Sequence, residues 1–269
     1  MFTRLSLKKP FEIKRPLMNL SPVVAIMLTI WVITMISLPI VRYVWDEPGV
    51  RWGVMVGVVL QTITVLFILY KAWGAVRTIF TALGVSILAW SAEAVGASTG
   101  LLFGAYHYTD KLQPQLGHVP LLIPLAWLMM LPPAWAVAQR LTGSTRGWRF
   151  VVISAMALTA WDLFLDPQMV AWGLWAWENP GGYFGIPWHN YLGWLAVSAI
   201  MTMLLRPPKL PLFPLLLIYT ITWTLETIGL LAFWGLPGPA LVGFVVMGLL
   251  VLLAWSTKQE ETQWLPSSG

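Results

Sequence analysis

The sequence predicts an all-α integral-membrane protein, a bundle of about eight transmembrane helices with both termini in the cytoplasm. Three observations predict it. Of the 269 residues, 58% are hydrophobic and 10% charged, where water-soluble domains carry roughly 25% charged residues. Eight apolar runs approach the ~20 residues that a helix needs to cross a bilayer core of about 30 Å. Lysine and arginine are distributed thirteen to three between alternate loops.

Each element follows from the pattern in turn. The opening stretch MFTRLSLKKPFEIKRP is polar and basic, and the apolar run after it is longer than the core of a cleavable signal. Residues 1–19 therefore read as a cytoplasmic basic segment. The predicted spans are 20–43, 51–71, 78–100, 120–140, 149–167, 189–205, 210–234 and 238–256. The last two are parted only by Pro237-Gly238-Pro239. Residues 20–256 form one helical membrane domain without internal repeats, and 257–269 a C-terminal tail.

One set of loops holds Arg4, Lys8, Lys9, Lys14, Arg15, Lys71, Arg77, Arg140, Arg146, Arg149, Arg206, Lys209 and Lys258. The other holds only Arg42, Arg51 and Lys111. The positive-inside bias puts the first set on the cytoplasmic side of the cell membrane. The net charge of +5 then reads as a topology signal with affinity for anionic lipid heads, not for nucleic acid.

With no cysteine in the chain there is no disulfide, thiol nucleophile or cysteine-ligated metal. Three histidines, His107, His118 and His189, are too few for a histidine-rich di-iron centre. No nucleotide or metal motif stands out, so no metal and no redox cofactor is expected.

Against this background four acids are conspicuous. Glu93 in AWSAEAVGASTG, Asp162 and Asp166 in TAWDLFLDPQMVAW, and Glu226 in ITWTLETIGL all fall in the outer half of the bilayer on this topology. Ionised groups at membrane depth cost several kcal/mol and usually face the bundle interior and mark function. Asp162 and Asp166, spaced i,i+4, share a helix face. Asp166 also precedes Pro167, which suits a helix end. Small residues around Glu93 suit a close helix–helix contact, and Thr222, Thr224 and Thr227 offer Glu226 hydrogen-bond partners.

Two long polar loops, 105–120 and 167–190, lie on the same side. They carry Tyr106, His107 and Tyr108 in one, and Trp172, Trp188, His189 and Asn190 in or beside the other. Interfacial aromatics are ordinary belt residues, but Trp161, Trp172, Trp175, Trp177, Trp188 and Trp194 crowd the aspartate pair beyond that need. Aromatic faces stabilise cations. Burial favours the neutral form of a carboxyl, and a second carboxylate nearby favours it further, so a desolvated Asp162/Asp166 pair would share a proton and titrate as a unit. Such an acid, walled by π-faces, suits protonation of an alkene and capture of the cation by water.

The segments AWSAEAVGASTGLLFGAYHYTDKLQPQLGHVPLLIPLAWLMM (89–130), TAWDLFLDPQMVAWGLWAWENPGGYFGIPWHNYLGW (159–194) and TWTLETIG (222–229) resemble the integral-membrane carotenoid hydratases of the CruF type. They cover about a third of the chain. The resemblance implies a cofactor-independent hydro-lyase that adds water across the 1,2 (or 1′,2′) double bond of an acyclic carotenoid end, giving a tertiary alcohol. Its implied partners are a lipophilic carotenoid (γ-carotene-like, lycopene-derived or a bacterioruberin precursor), water and membrane lipid. On this reading Asp162 donates the proton, Asp166 is its partner and stabilises the cation, and Glu93 orients or deprotonates the water. His189 and Tyr106 line the water's entrance, with Tyr108, His107, Asn190, Trp161, Trp172 and Trp188 around the substrate and Glu226 as a further acid.

Two other classes compete. The D-x-x-x-D pattern also occurs in intramembrane prenyltransferases, where aspartates hold Mg²⁺ on a diphosphate, but a second such motif is missing and Lys111 is the only basic residue in the facing loops. Intramembrane acids also serve proton-coupled transporters, or a scaffold could simply bury them. Inverted repeats and paired broken helices are not evident.

Overall fold

The computed structural model describes residues 20–257. The expectations for the basic segment 1–19 and for the tail beyond Thr257 fall outside the described residues. Helix α1 (Pro22–Thr99) opens with Pro22 in its first turn and Ser21 as N-cap, whose hydroxyl accepts from the Val24 amide at 3.3 Å. Helical geometry breaks inside it at Asp46 (φ 54°) and at Gly74 (φ 77°), leaving three arms, 22–45, 47–73 and 75–99. Pro48, two residues past the first break, lacks an N–H and disfavours helix in the residue before it. At Gly74 the backbone takes a conformation open to glycine.

The first two arms form an antiparallel hairpin along Gly49, Gly53 and Gly57. A Cβ on Gly57 would sit 2.6 Å from Met35 Sδ, and one on Gly49 2.6 Å from Trp45 Cβ. In lipid, where apolar surface gains little from leaving the solvent, such close backbone approach drives helix association.

Helix α2 (Leu122–Thr142) is the central element, buried almost continuously from Trp127 to Gln139. The second arm of α1 meets it where Thr62 donates to the Leu125 carbonyl at 3.1 Å. The third arm meets it where Glu93 accepts from Trp127. The chain therefore doubles back at Gly74. Helices α3 (Trp148–Ala171), α4 (Trp188–Leu205), α5 (Leu212–Ala232) and α6 (Pro237–Ser256) surround this centre. Large rings fill glycine notches between them, Phe164 at Gly243 and Trp223 at Gly248. Among the described residues, five helices are long and apolar enough to cross a membrane.

The connections gather at two ends. At one, Arg77 donates to the Leu205 and Arg206 carbonyls, Trp73 to the Lys209 carbonyl and Arg146 to the Pro207 carbonyl. At the other, the first break of α1 meets the loop after α1 through Lys111–Glu47 (3.6 Å) and Arg51–Lys111 contacts, and Arg42 lies over the ring of Trp234 between α5 and α6.

Two features depart from the expected all-α pattern. Short strands β1 (Tyr106–Tyr108) and β4 (Trp175–Trp177) pair antiparallel, and β2 (Gln115–Leu116) pairs with β3 (Val119–Pro120). In addition, α3 does not end at Asp166 but runs through Pro167 to Ala171. The proline leaves the Leu163 carbonyl without its usual amide partner, and Tyr183 donates its hydroxyl to that oxygen at 3.0 Å.

Candidate active site

The pairing of β1 with β4 builds one wall of a cavity. Side chains alternate across a strand, so Y-H-Y and W-A-W each turn two rings to one face. The register sets Tyr106 opposite Trp177 and Tyr108 opposite Trp175, with ring centroids 5.6 and 5.7 Å apart. Both tyrosines reach Glu93 on the third arm of α1. Tyr106 donates to Glu93 Oε2 at 2.5 Å, Tyr108 to the same oxygen at 2.7 Å, and Trp127 Nε1 to Oε1 at 3.2 Å. Burial, with the Glu93 carboxylate beside them, pushes both phenols well above the usual tyrosine range, so they remain donors. Glu93 is thus held by three donors.

The aspartate pair is held differently. One amide group, Asn190 Nδ2 on α4, donates to Asp162 Oδ2 at 3.0 Å and also to Asp166 Oδ2. Trp175 Nε1 donates to Asp166 Oδ1 at 3.1 Å. Asp162 Oδ1 is buried without a partner. Two carboxyls thus converge on a single amide in a buried site.

All of these groups but Asp162 border a cavity of about 690 Å³. Its walls are mostly aromatic and aliphatic. Trp127 and Trp194 stack at 4.2 Å and 9°, with Trp161 edge-on to Trp194. Gln61 adds a buried amide between Met130 and Thr222. The cavity reaches the surface between the first arm of α1 and α5, where Ile36, Ile228 and Phe233 line it and are 59%, 52% and 53% exposed. That mouth is apolar and faces sideways from the bundle.

Of the residues expected from the sequence, Glu93, Tyr106, Tyr108, Trp161, Asp166, Trp172, Asn190 and Glu226 all line this cavity. Glu226 comes from α5 and lies near the Trp161 indole N–H, though not in hydrogen-bond geometry with it. Four residues are placed elsewhere. Asp162 is fully buried but stands behind Asn190, off the cavity wall. His107 occupies the outward position of β1 opposite Ala176 and is exposed. Trp188 and His189 fall on the outer face of α4, whose inner face carries Asn190, Trp194 and Val197. His189 is not among the residues that line the cavity.

Trp127, which holds Glu93, carries no signal in the sequence, because it sits in an apolar helix with no polar neighbour along the chain. Trp175 and Trp177 did carry a signal, the two-residue alternation of W-A-W. Among the described residues no three His, Cys, Asp or Glu side chains are grouped to hold a metal ion.

A bisanhydrobacterioruberin hydratase from Haloarcula japonica is 32% identical over 123 residues, which span 45% of this chain and 42% of that relative. The chain thus matches less than half the length of the curated relative. No solved structure matches. The family described as carotenoid biosynthesis protein matches residues 53–251, most of the helical bundle. The chain belongs to the carotenoid biosynthesis protein family.

Proposed function

We propose that the protein is a carotenoid hydratase, adding water to the terminal C=C of an acyclic carotenoid end to give a tertiary alcohol. The observation that carries this reading is a carboxyl of a paired set, Asp166, on the wall of a tryptophan-lined cavity with an apolar sideways mouth. An alkene is a weak base and needs an acid kept neutral until use. Two carboxyls sharing one buried site hold a proton between them rather than both ionising.

The roles within the pair are exchanged relative to the sequence expectation. Asp166 donates the proton, since it borders the cavity, and Asp162 is its partner through Asn190. The proton goes to the alkene carbon that leaves a tertiary cation. Glu93, fixed by Tyr106, Tyr108 and Trp127, supplies negative charge toward that cation, with the indole faces of Trp127, Trp161 and Trp194 around it. Water oxygen bonds to the cationic carbon. The excess proton passes to Glu93, and its return to Asp166 through solvent leaves alkene plus water converted to alcohol. Neither redox chemistry nor group transfer is needed.

The same reading gives eight membrane crossings with both termini cytoplasmic. It is supported by the two breaks of α1 and by Lys71, Arg77, Arg140, Arg146, Arg149, Arg206 and Lys209 at the end opposite the site. The acids then lie in the outer half of the membrane, where the end of a long polyene reaches them from the bilayer.

Expression in a host that accumulates lycopene or γ-carotene, followed by pigment analysis, tests the reading. Parent protein should yield the hydroxylated carotenoid. General acid catalysis typically contributes about 10²–10⁴-fold, so Asp166→Asn should cut product by about 100-fold or more while still inserting. Unchanged pigments with the parent protein, or near-normal product from Asp166→Asn, would count against it.

A further inference from the structure

A hydratase needs two substrates of opposite polarity, and the sideways mouth at Ile36, Ile228 and Phe233 suits only one of them. A second, smaller cavity of about 70 Å³ lies at the loop end of the bundle, lined by Arg42, Glu47, Val50, Arg51, Trp172 and Trp234 among others. It has room for several waters, at about 10–15 Å³ of such volume each. Arg42 and Glu47 are exposed at its outer side. Arg51 offers it a buried Nε without a protein partner. Charged groups of this kind supply the two to four polar contacts that an ordered water needs.

Trp172 and Trp234 line both this vestibule and the main cavity. Their rings meet edge to face, with centroids 5.0 Å apart, and so form the partition between the two spaces. The partition is secured from the vestibule side. The Arg42 guanidinium lies 5.4 Å over the Trp234 ring, and Lys111, paired with Glu47 at 3.6 Å, donates to the Trp172 carbonyl at 3.0 Å. On the inner side, Asp166 lies six residues back along α3 from Trp172, about 9 Å at 1.5 Å per residue.

We propose that this vestibule is the inlet for the hydrating water, and that Trp172 and Trp234 are the ring pair that meters it into the cavity. The proposal rests on the hydratase reading for its purpose, but not for its test. Water arrives from the aqueous loop end and the polyene from the lipid side, so bulk water does not have to cross the apolar mouth.

The cysteine-free chain permits single-cysteine labelling without prior substitutions. Val50→Cys probes the vestibule, Gln168→Cys the main cavity behind the partition, Ile228→Cys the sideways mouth and Val65→Cys the packed core. Each variant is reconstituted in vesicles, permeabilised to expose both faces, and labelled with a small cationic methanethiosulfonate. Thiol reactivity follows exposure to the aqueous reagent, so Val50→Cys should react about tenfold or more faster than Ile228→Cys and Val65→Cys. Gln168→Cys should be slow in the parent background and about tenfold faster when combined with Trp234→Ala. Trp234→Phe, which keeps an aromatic ring, should give a smaller rise and covers the case in which Trp234→Ala does not fold. Val50→Cys as inert as Val65→Cys, or Gln168→Cys labelling unmoved by either substitution, overturns the proposal. The readout needs no turnover, so the expected labelling in a protein that makes no hydrated pigment would refute the hydratase reading and leave the aqueous path standing.

Discussion

Asn190 is the single donor shared by two buried acids, which makes its replacement by leucine a sharp probe of the site. Asparagine and leucine have nearly the same shape, so Asn190→Leu removes the amide without opening a cavity. Asn190 is only 2% exposed, and leucine offers the two carboxyls no donor in its place. Asp162 would keep neither side-chain partner, because its other oxygen already has none. Asp166 would keep only Trp175. A buried acceptor left without a donor costs about 1–3 kcal/mol; two of them at the low end cost about 2 kcal/mol. Against a total stability of about 5–15 kcal/mol the variant still folds. Its Tm should fall by about 4–8 °C, at about 2–4 °C per kcal/mol. Intrinsic tryptophan fluorescence of the purified protein in detergent reads the transition, and pigment analysis reads the activity, which should fall with it. Adding Asp162→Val removes the stranded acceptor along with its donor, so the double variant should melt above Asn190→Leu alone. A Tm within about 1 °C of the parent, together with parental turnover, would refute the shared clamp.

The tyrosine pair predicts an alkaline limit. In the unfolded chain tyrosine ionises near pH 10, whereas Tyr106 and Tyr108 stay protonated well above it, so the native state holds more protons and stability falls as pH rises past about 10. Tyr106→Phe should flatten that fall in melts recorded from pH 8 to 11. A Cβ on Gly193 would run into the Leu102 carbonyl and lie 2.7 Å from Phe103 Cδ1. Gly193→Ala should therefore cost about 1–3 kcal/mol by overpacking and lower activity by shifting the segment that leads to Tyr106. His107→Ala and His189→Ala, both outside the cavity wall, should leave Tm nearly unchanged, within about 0.5 kcal/mol of stability, and hydrate at the parental level; loss of product from either would return that histidine to the site.

What the sequence made legible was the set of helices and the neighbourhood of the site. The apolar runs match the helical arms to within about four residues at most ends, since hydropathy reports the length of a span directly. The rotation of each helix was harder. In a membrane the outer face is as apolar as the core, so periodicity does not say which side of α3 carries the cavity. That is why the spacing pairs Asp162 and Asp166, while the expectation of Asp162 as donor rests on Asp166 preceding Pro167 and not on which side of α3 faces the cavity. Pro167 reads as a helix end because the group that satisfies the Leu163 carbonyl in place of an amide, the Tyr183 hydroxyl, comes from the loop beyond α3. The strands escaped because each is two or three residues long, yet Y-H-Y and W-A-W already held the alternation that turns His107 outward.

The stacked indoles of Trp127 and Trp194, 4.2 Å apart and nearly parallel, make the protein its own spectrometer. Two transition dipoles so close couple excitonically and give a paired band in ultraviolet circular dichroism. Both rings border the cavity, so a guest pressed against them changes the band's shape, and a coloured polyene also drains their fluorescence. Occupancy of the site is therefore readable by light in the untagged protein.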